Sequence, residues 1–225
     1  MTSSVTIQVR WGGEGDWSTL FAMDAAIEDV VVGDFDGDRR SDLLVLNGSS
    51  WKLVFASGAT SSWSGTLPLF ALRAGSVRVA KLNGDVRDDV LFASGSSWLY
   101  VPSGVPNAIV TLGPARAPLG EVQFVDVNGD GITDALRVNQ WWDSNLSQAF
   151  TKTQVSYGAS SAFTDVRTVA TPVPIRVPPV GRFDANPGAD VIHWRADRRW
   201  DVSSSAIGAL VLHSFDDGVT KNEMF

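Results

Sequence analysis

The sequence predicts an all-β fold made of repeated four-stranded antiparallel sheets, and three observations carry that expectation. Apolar residues alternate or come in short runs such as DLLVL, WKLVF and IQVRW, with Gly and Ser clusters between them. Stretches with helical periodicity are weak. An acidic loop also recurs in register along the chain, which is the mark of a repeat architecture.

Composition bounds the function classes. The 225 residues are 44% hydrophobic and 19% charged, which fits a globular chain rather than a disordered one. A formal charge of −7 argues against nucleic acid or an acidic membrane surface as partner, because both need clustered Lys and Arg. The chain has no cysteine, so it has no disulfide framework and no thiolate metal site. No apolar run approaches the ~18 residues needed to cross a bilayer, so membrane insertion is not expected. The start, MTSSVTIQVRWGGEGDW, has no basic segment leading into an apolar core, so no signal peptide is expected in this chain.

The repeat defines the elements. VGDFDGDRRSDLLVL from Val32 aligns with VAKLNGDVRDDVLFA from Val79, FVDVNGDGITDALRV from Phe124 and VGRFDANPGADVIHW from Val180. The first loop position falls at Asp34, Lys81, Asp126 and Arg182, at intervals of 47, 45 and 56 residues. About eight to ten residues after each loop comes a tryptophan, at Trp51, Trp98, Trp142 and Trp200. A small-residue turn and an outer apolar strand follow each time, as in SGATSSWS from Ser57 and YGASSAFT from Tyr157.

The unit is therefore strand, acidic loop, strand, Trp-led strand, turn and outer strand. Four strands in about 45 residues is the pattern of a β-propeller blade. The expected domain is a single propeller over residues 1–225, with a half unit at 5–26 and full units at 27–73, 74–118, 119–173 and 174–225. About four and a half units either close a ring of about five blades, form part of a larger ring, or close against another copy. An open array would expose sheet edges and apolar blade faces.

The loops carry chemistry. Positions 1, 3, 5 and 9 of the first loop are Asp34, Asp36, Asp38 and Asp42, and those of the third are Asp126, Asn128, Asp130 and Asp134. Oxygen donors at alternating positions wrap one hard cation, and Ca²⁺ accepts six to eight oxygens at ~2.3–2.6 Å in irregular geometry. Position 7, Arg40 or Ile132, offers a carbonyl. Zinc is disfavoured without Cys or well-placed His. An EF-hand does not fit, because its position-12 Glu would fall on Val45 and Arg137 and its loop needs flanking helices. Asx-rich turns without metal are the competing reading. Four loops in register, two of them complete, favour metal.

The even loops lead with a cation. Lys81 precedes Asn83, Asp85 and Asp89, and Arg182 precedes Asp184, Asn186 and Asp190. These side chains are expected to neutralise their own loops, leaving two Ca²⁺ sites in loops one and three.

The D-x-[DN]-G-D-x-x-x-D loop between strands resembles the FG-GAP or VCBS repeats of integrin-α-like β-propellers. The similarity runs from Val5 to about His213. The resemblance implies a propeller, often of seven blades, with Ca²⁺ held by Asp34, Asp36, Asp38 and Asp42 and by Asp126, Asn128, Asp130 and Asp134. It also implies a role in adhesion, in carbohydrate or protein binding, or as an accessory domain of secreted enzymes and toxins. The chain departs from the pattern in its unit count and at Lys81 and Arg182.

No G-x-S-x-G, H-E-x-x-H, P-loop or dinucleotide fingerprint is present, so no enzyme activity is expected. The histidines are His193, at a strand position, and His213, with no evident partner. The leading expectation is a binding module for glycan or protein. The nine tryptophans suit sugar stacking, with Trp11 and Trp141 as surface candidates and Trp51, Trp98 and Trp200 as blade packing. The alternative is a structural or accessory propeller, including one that assembles with its own copies. Loops of this type fill at millimolar Ca²⁺, which points to an extracellular or cell-surface setting.

Overall fold

The computed structural model describes residues 5–10, 15–23, 30–47, 50–62, 74–103, 105, 108–171, 180–181, 183, 185–194, 200–203 and 210–211. It is all-β among these residues apart from short 3₁₀ turns such as Leu119–Glu121 and Tyr157–Ala159. The chain divides into two compact units, Met1–Leu119 and Gly120–Phe225.

The first unit begins with an antiparallel pair, β1 (Val5–Val9) and β2 (Ser18–Met23). Two four-stranded sheets follow. One holds β3 (Val30–Gly33), β4 (Asp42–Asn47), β5 (Ser50–Val54) and β6 (Thr60–Ser62). The other holds β7 (Val77–Ala80), β8 (Asp89–Ser94), β9 (Ser97–Val101) and β10 (Val110–Pro114). The second unit has β11 (Val122–Val125), β12 (Asp134–Asp143), β13 (Gln148–Ser156) and β14 (Thr164–Thr171) in one sheet. Its other sheet holds β15 (Val180–Gly181), β16 (Asp190–Trp194), β17 (Trp200–Ser203) and β18 (Leu210–Val211). Each sheet is an antiparallel meander in chain order, and each falls inside one of the expected repeat units.

The register repeats as well. The residue that ends the first strand always faces the last Asp of the loop: Gly33 with Asp42, Ala80 with Asp89, Val125 with Asp134, and Gly181 with Asp190. That Asp is thus the first residue of the second strand in every sheet.

The second strands read as continuous apolar runs because both their faces are covered. In β4, Leu44 packs with Val31, Leu53 and Trp51 against Val77, Val90, Phe92 and Val101 of the next sheet. On the opposite face Leu43, Val45 and Val54 meet Ile7, Leu20 and Phe21 of the β1–β2 pair. The β3–β6 sheet is therefore sandwiched within its unit. In the second unit Val127, Leu136, Val155 and Val191 form the shared core of the two sheets. Full burial of one such side chain contributes about 1.5–3 kcal/mol.

One expectation is corrected here. Trp51 and Trp98 are buried at equivalent register positions, facing Leu46 and Ala93. Trp200 faces Trp194 at the same place in the fourth sheet, although its side chain lies outside the described residues. Trp142 does not share this position. The β12–β13 hairpin runs on to Asp143 and Gln148, whereas the corresponding hairpins close at Asn47 with Ser50 and Ser94 with Ser97. The position facing Val138, which register makes the counterpart of Trp51, is occupied by Thr153. Trp142 sits near the hairpin tip and is 65% exposed.

Candidate functional site

The acidic loops are built by their own carboxylates. In the first, Asp34 accepts the N–H groups of Gly37 at 2.7 Å and Arg39 at 2.9 Å. Asp36 accepts from Asp38 at 3.0 Å, and Asp38 from Arg40 at 2.8 Å. The third loop repeats the arrangement. Asp126 accepts from Gly129 at 2.7 Å and Gly131 at 3.0 Å, Asn128 from Asp130, and Asp130 from Ile132. Gly37 and Gly129 take positive φ of 86° and 80°. They also admit the neighbouring loop: a Cβ on Gly37 would lie 2.7 Å from Val86, and one on Gly129 2.7 Å from Pro187.

The last Asp does a different job. Asp42 is fully buried and accepts the N–H groups of Phe35 and Ala56, both at 2.9 Å. Asp89 does the same for Leu82 and Ser103, and Asp134 for Val127 and Gly158. Asp190 accepts from Phe183 at 2.6 Å. Each of the first three carboxylates pins its loop to the turn that follows the third strand. Burial raises the pKa of Asp42, Asp89 and Asp134, and the paired N–H bonds only partly offset it.

The donor set suits a hard cation. Asp34, Asp36 and Asp42 each bring one oxygen within 4.8 Å of the other two. Oxygens sharing a Ca²⁺ at about 2.4 Å can lie up to about twice that far apart. The second loop is organised without an Asp at position 1. Asn83 accepts from Asp85 and Asp85 from Arg87, as in the complete loops. The Lys81 ammonium donates to Val86 O at 2.5 Å and pairs with Asp88 at 3.3 Å. The expected cation is thus in place and pairs with Asp88, while Asp85 and Asp89 accept backbone N–H groups. Arg182 and Asp184 lie outside the described residues, and Asn186 is exposed.

The second candidate surface is the extended β12–β13 hairpin. Trp11 lies outside the described residues. Trp141 is 40% exposed and stacks on its cross-strand partner Phe150, with ring centroids 5.5 Å apart and planes 16° off parallel. The Lys152 ammonium sits 5.6 Å from the Trp141 ring centre. Polar groups continue along the same face. Lys152 donates to Asp165 at 2.7 Å, and Gln154 bridges Asn139, Arg137 and Asp165. Alternation puts Trp142 on the opposite face, with Thr151 and Thr153. Sequence reading named Trp141 but not Phe150, Lys152 or Asp165, which only the cross-strand register brings beside it.

Similarity to known proteins lies at the level of fold. No protein-family model and no curated protein matches the sequence. Among solved structures, the chain is similar to an Agrocybe aegerita lectin that recognises non-reducing terminal N-acetylglucosamine. The match has 14% identity, a TM-score of 0.53, and covers 91% of this chain and 58% of the lectin chain. It is also aligned, at a TM-score of 0.36 and 14% identity, with a Photorhabdus luminescens Tc holotoxin pore structure, covering 87% of this chain and 12% of that one. The chain therefore spans little more than half the length of the lectin chain it matches. Its four sheets and the lectin are similarly folded all-β structures.

Proposed function

We propose that the chain is a calcium-braced β-propeller module that binds glycans and carries no catalytic centre of its own. The observation that carries this reading is the placement of tryptophan. The repeat buries Trp51 and Trp98 as packing, while an added hairpin extension holds Trp141 on an exposed strand face. Exposed aromatic rings on a rigid strand pair suit stacking on sugar rings. The fold-level likeness to a lectin supports the same direction. The four sequential meanders support propeller blades. The two Asp-led loops support calcium, and calcium supports an extracellular setting. Among the described residues no helix is long and apolar enough to cross a membrane.

Two measurements test it. Calorimetric titration of chelator-treated protein with CaCl₂ is expected to give two sites, and a stoichiometry of none or four removes the calcium part. A glycan array is expected to show binding to a defined set of sugars, and silence removes the glycan part.

One observation favours assembly with a further sheet as a second reading. The residue after loop position 1 is buried as Phe35, Leu82 and Val127, but Phe183 is 50% exposed. In a stacked repeat this side chain packs on the following sheet, as Phe35 does in the core it shares with Val77, Val90 and Phe92. Solution mass with and without chelator tests whether copies of the chain associate, and a monomer under both conditions removes self-association.

A further inference from the structure

The geometry points to a saccharide platform on one face of β12–β14, where an uncharged pyranose stacks on Trp141 and its hydroxyls meet Asn139, Lys152 and Asp165. This inference rests on the glycan-binding reading and assigns it a place and a ligand class.

The ring is presented and held. Phe150 backs the indole on one side, and Trp141 keeps 40% of its surface exposed. Both residues lie on paired strands rather than in a loop, so the ring's position is fixed by the β12–β13 register. Asn139 is two residues from Trp141 on the same face, so about 7 Å separates them along the strand. That is close to the width of one sugar ring.

The polar groups have the mixed donor and acceptor character that a diol needs. Asn139 donates its amide to Gln154 at 2.7 Å, and its side-chain carbonyl is an acceptor. Lys152 spends one proton on Asp165 at 2.7 Å and keeps two more to donate. Asp165 receives Lys152 and Gln154 on different oxygens, and each oxygen retains a second lone pair. These two bonds also lower the Asp165 pKa, so the carboxylate is ionised at neutral pH. Arg137 rests over the Phe163 ring at 4.2 Å and bonds Gln154, which buttresses the network from the far side.

Charge selects the class. Lys152 and Asp165 neutralise each other, and the chain's net charge of −7 disfavours an acidic sugar. The Lys152–Asp165 pair instead offers a donor beside an acceptor, which matches neighbouring hydroxyls of a neutral hexose or N-acetylhexosamine.

The test uses the full chain on an array of neutral and acidic oligosaccharides, followed by calorimetry with the best neutral hit. Trp141→Ala and Asp165→Ala are each expected to weaken binding at least tenfold, and Trp141→Phe to restore most of it. Trp142→Ala, on the opposite face, is expected to change affinity less than twofold. Circular dichroism melts check that each variant folds, and if Trp141→Ala does not fold, Trp141→Phe and Asn139→Ala decide. Neutral binding that survives Trp141→Ala and Asp165→Ala overturns this site and leaves the glycan reading standing. Preference for acidic oligosaccharides overturns the ligand class. A silent array overturns both the site and the glycan reading.

Discussion

Asp34 and Asp88 are locked together by two reciprocal bonds: the Asp34 N–H donates to the Asp88 carboxylate at 2.7 Å, and the Asp34 carbonyl accepts the Asp88 N–H at 2.7 Å. The second unit keeps half of this device. Asp126 O accepts the N–H of Ala189 at 2.8 Å, but Ala189 has no carboxylate to return. An Asp-led loop is thus tied to the cation-led loop that follows it in both units, and more tightly in the first. Asp88→Ala removes the acceptor of the Asp34 N–H and the Lys81 ion pair together. It is expected to cost about 1–2 kcal/mol, most of it from the stranded N–H rather than from the partly exposed ion pair. Lys81→Met alone is expected to cost less than about 1 kcal/mol. Equal losses in urea denaturation of the two variants would show that the Asp88 carboxylate stabilises the chain through its ion pair within the second loop rather than through the Asp34 N–H.

The buried last Asp of each loop predicts a sharp contrast within one loop. Asp134→Ala strands the N–H groups of Val127 and Gly158, so it is expected to destabilise by roughly 3 kcal/mol. Asp130→Ala removes an exposed acceptor of the Ile132 N–H and the Asn128 amide and is expected to cost under about 1 kcal/mol. Urea denaturation in chelator isolates this difference from any metal contribution. Comparable losses for the two variants would refute the division of labour between clip and loop positions.

Much of this was legible in the sequence because the last Asp recurs at a fixed offset and always opens an apolar strand. The same offset located the four four-stranded sheets. Loop position 8 was not legible, because it is Ser41, Asp88, Thr133 and Ala189 in turn and shows no pattern. Trp142 misled the reading for a physical reason. Lengthening a hairpin moves its tip away from the core without altering the local alternation, so the tryptophan spacing looked intact while the register position had passed to Thr153. The platform around Trp141 depends on residues from three strands and on a register shift between Thr153 and Gln154, which no local pattern announces.

Asp89 predicts a pH dependence. Burial raises its pKa to about 6 from 3.8, with Asp85 and Asp88 adding to the rise and the N–H groups of Ser103 and Leu82 opposing it. Between these values the folded chain holds a proton that the unfolded chain has released. Its contribution to stability is therefore complete below about pH 3.8 and is lost as pH rises through about 6. Asp89→Asn removes the titration. The stability of the native chain minus that of Asp89→Asn is expected to fall by roughly 1–3 kcal/mol from pH 3.5 to pH 7. A difference that is flat or rises with pH would show that the two N–H bonds outweigh burial.

Thr153 predicts a stabilising substitution. It is 1% exposed, it occupies the register position of Trp51 and Trp98, and its hydroxyl has no hydrogen-bond partner. A buried hydroxyl without a partner costs about 1–3 kcal/mol, and valine has the same branched shape without the polar atom. Thr153→Val is therefore expected to raise stability by about 1 kcal/mol, seen as a higher urea midpoint at unchanged slope. Thr153→Ala is expected to lower it, because the lost methyl leaves a gap beside the shared core of the second unit. A loss of stability in Thr153→Val comparable to that in Thr153→Ala would mean that the hydroxyl is satisfied in solution, and the assignment of an orphan polar atom at this position would be withdrawn.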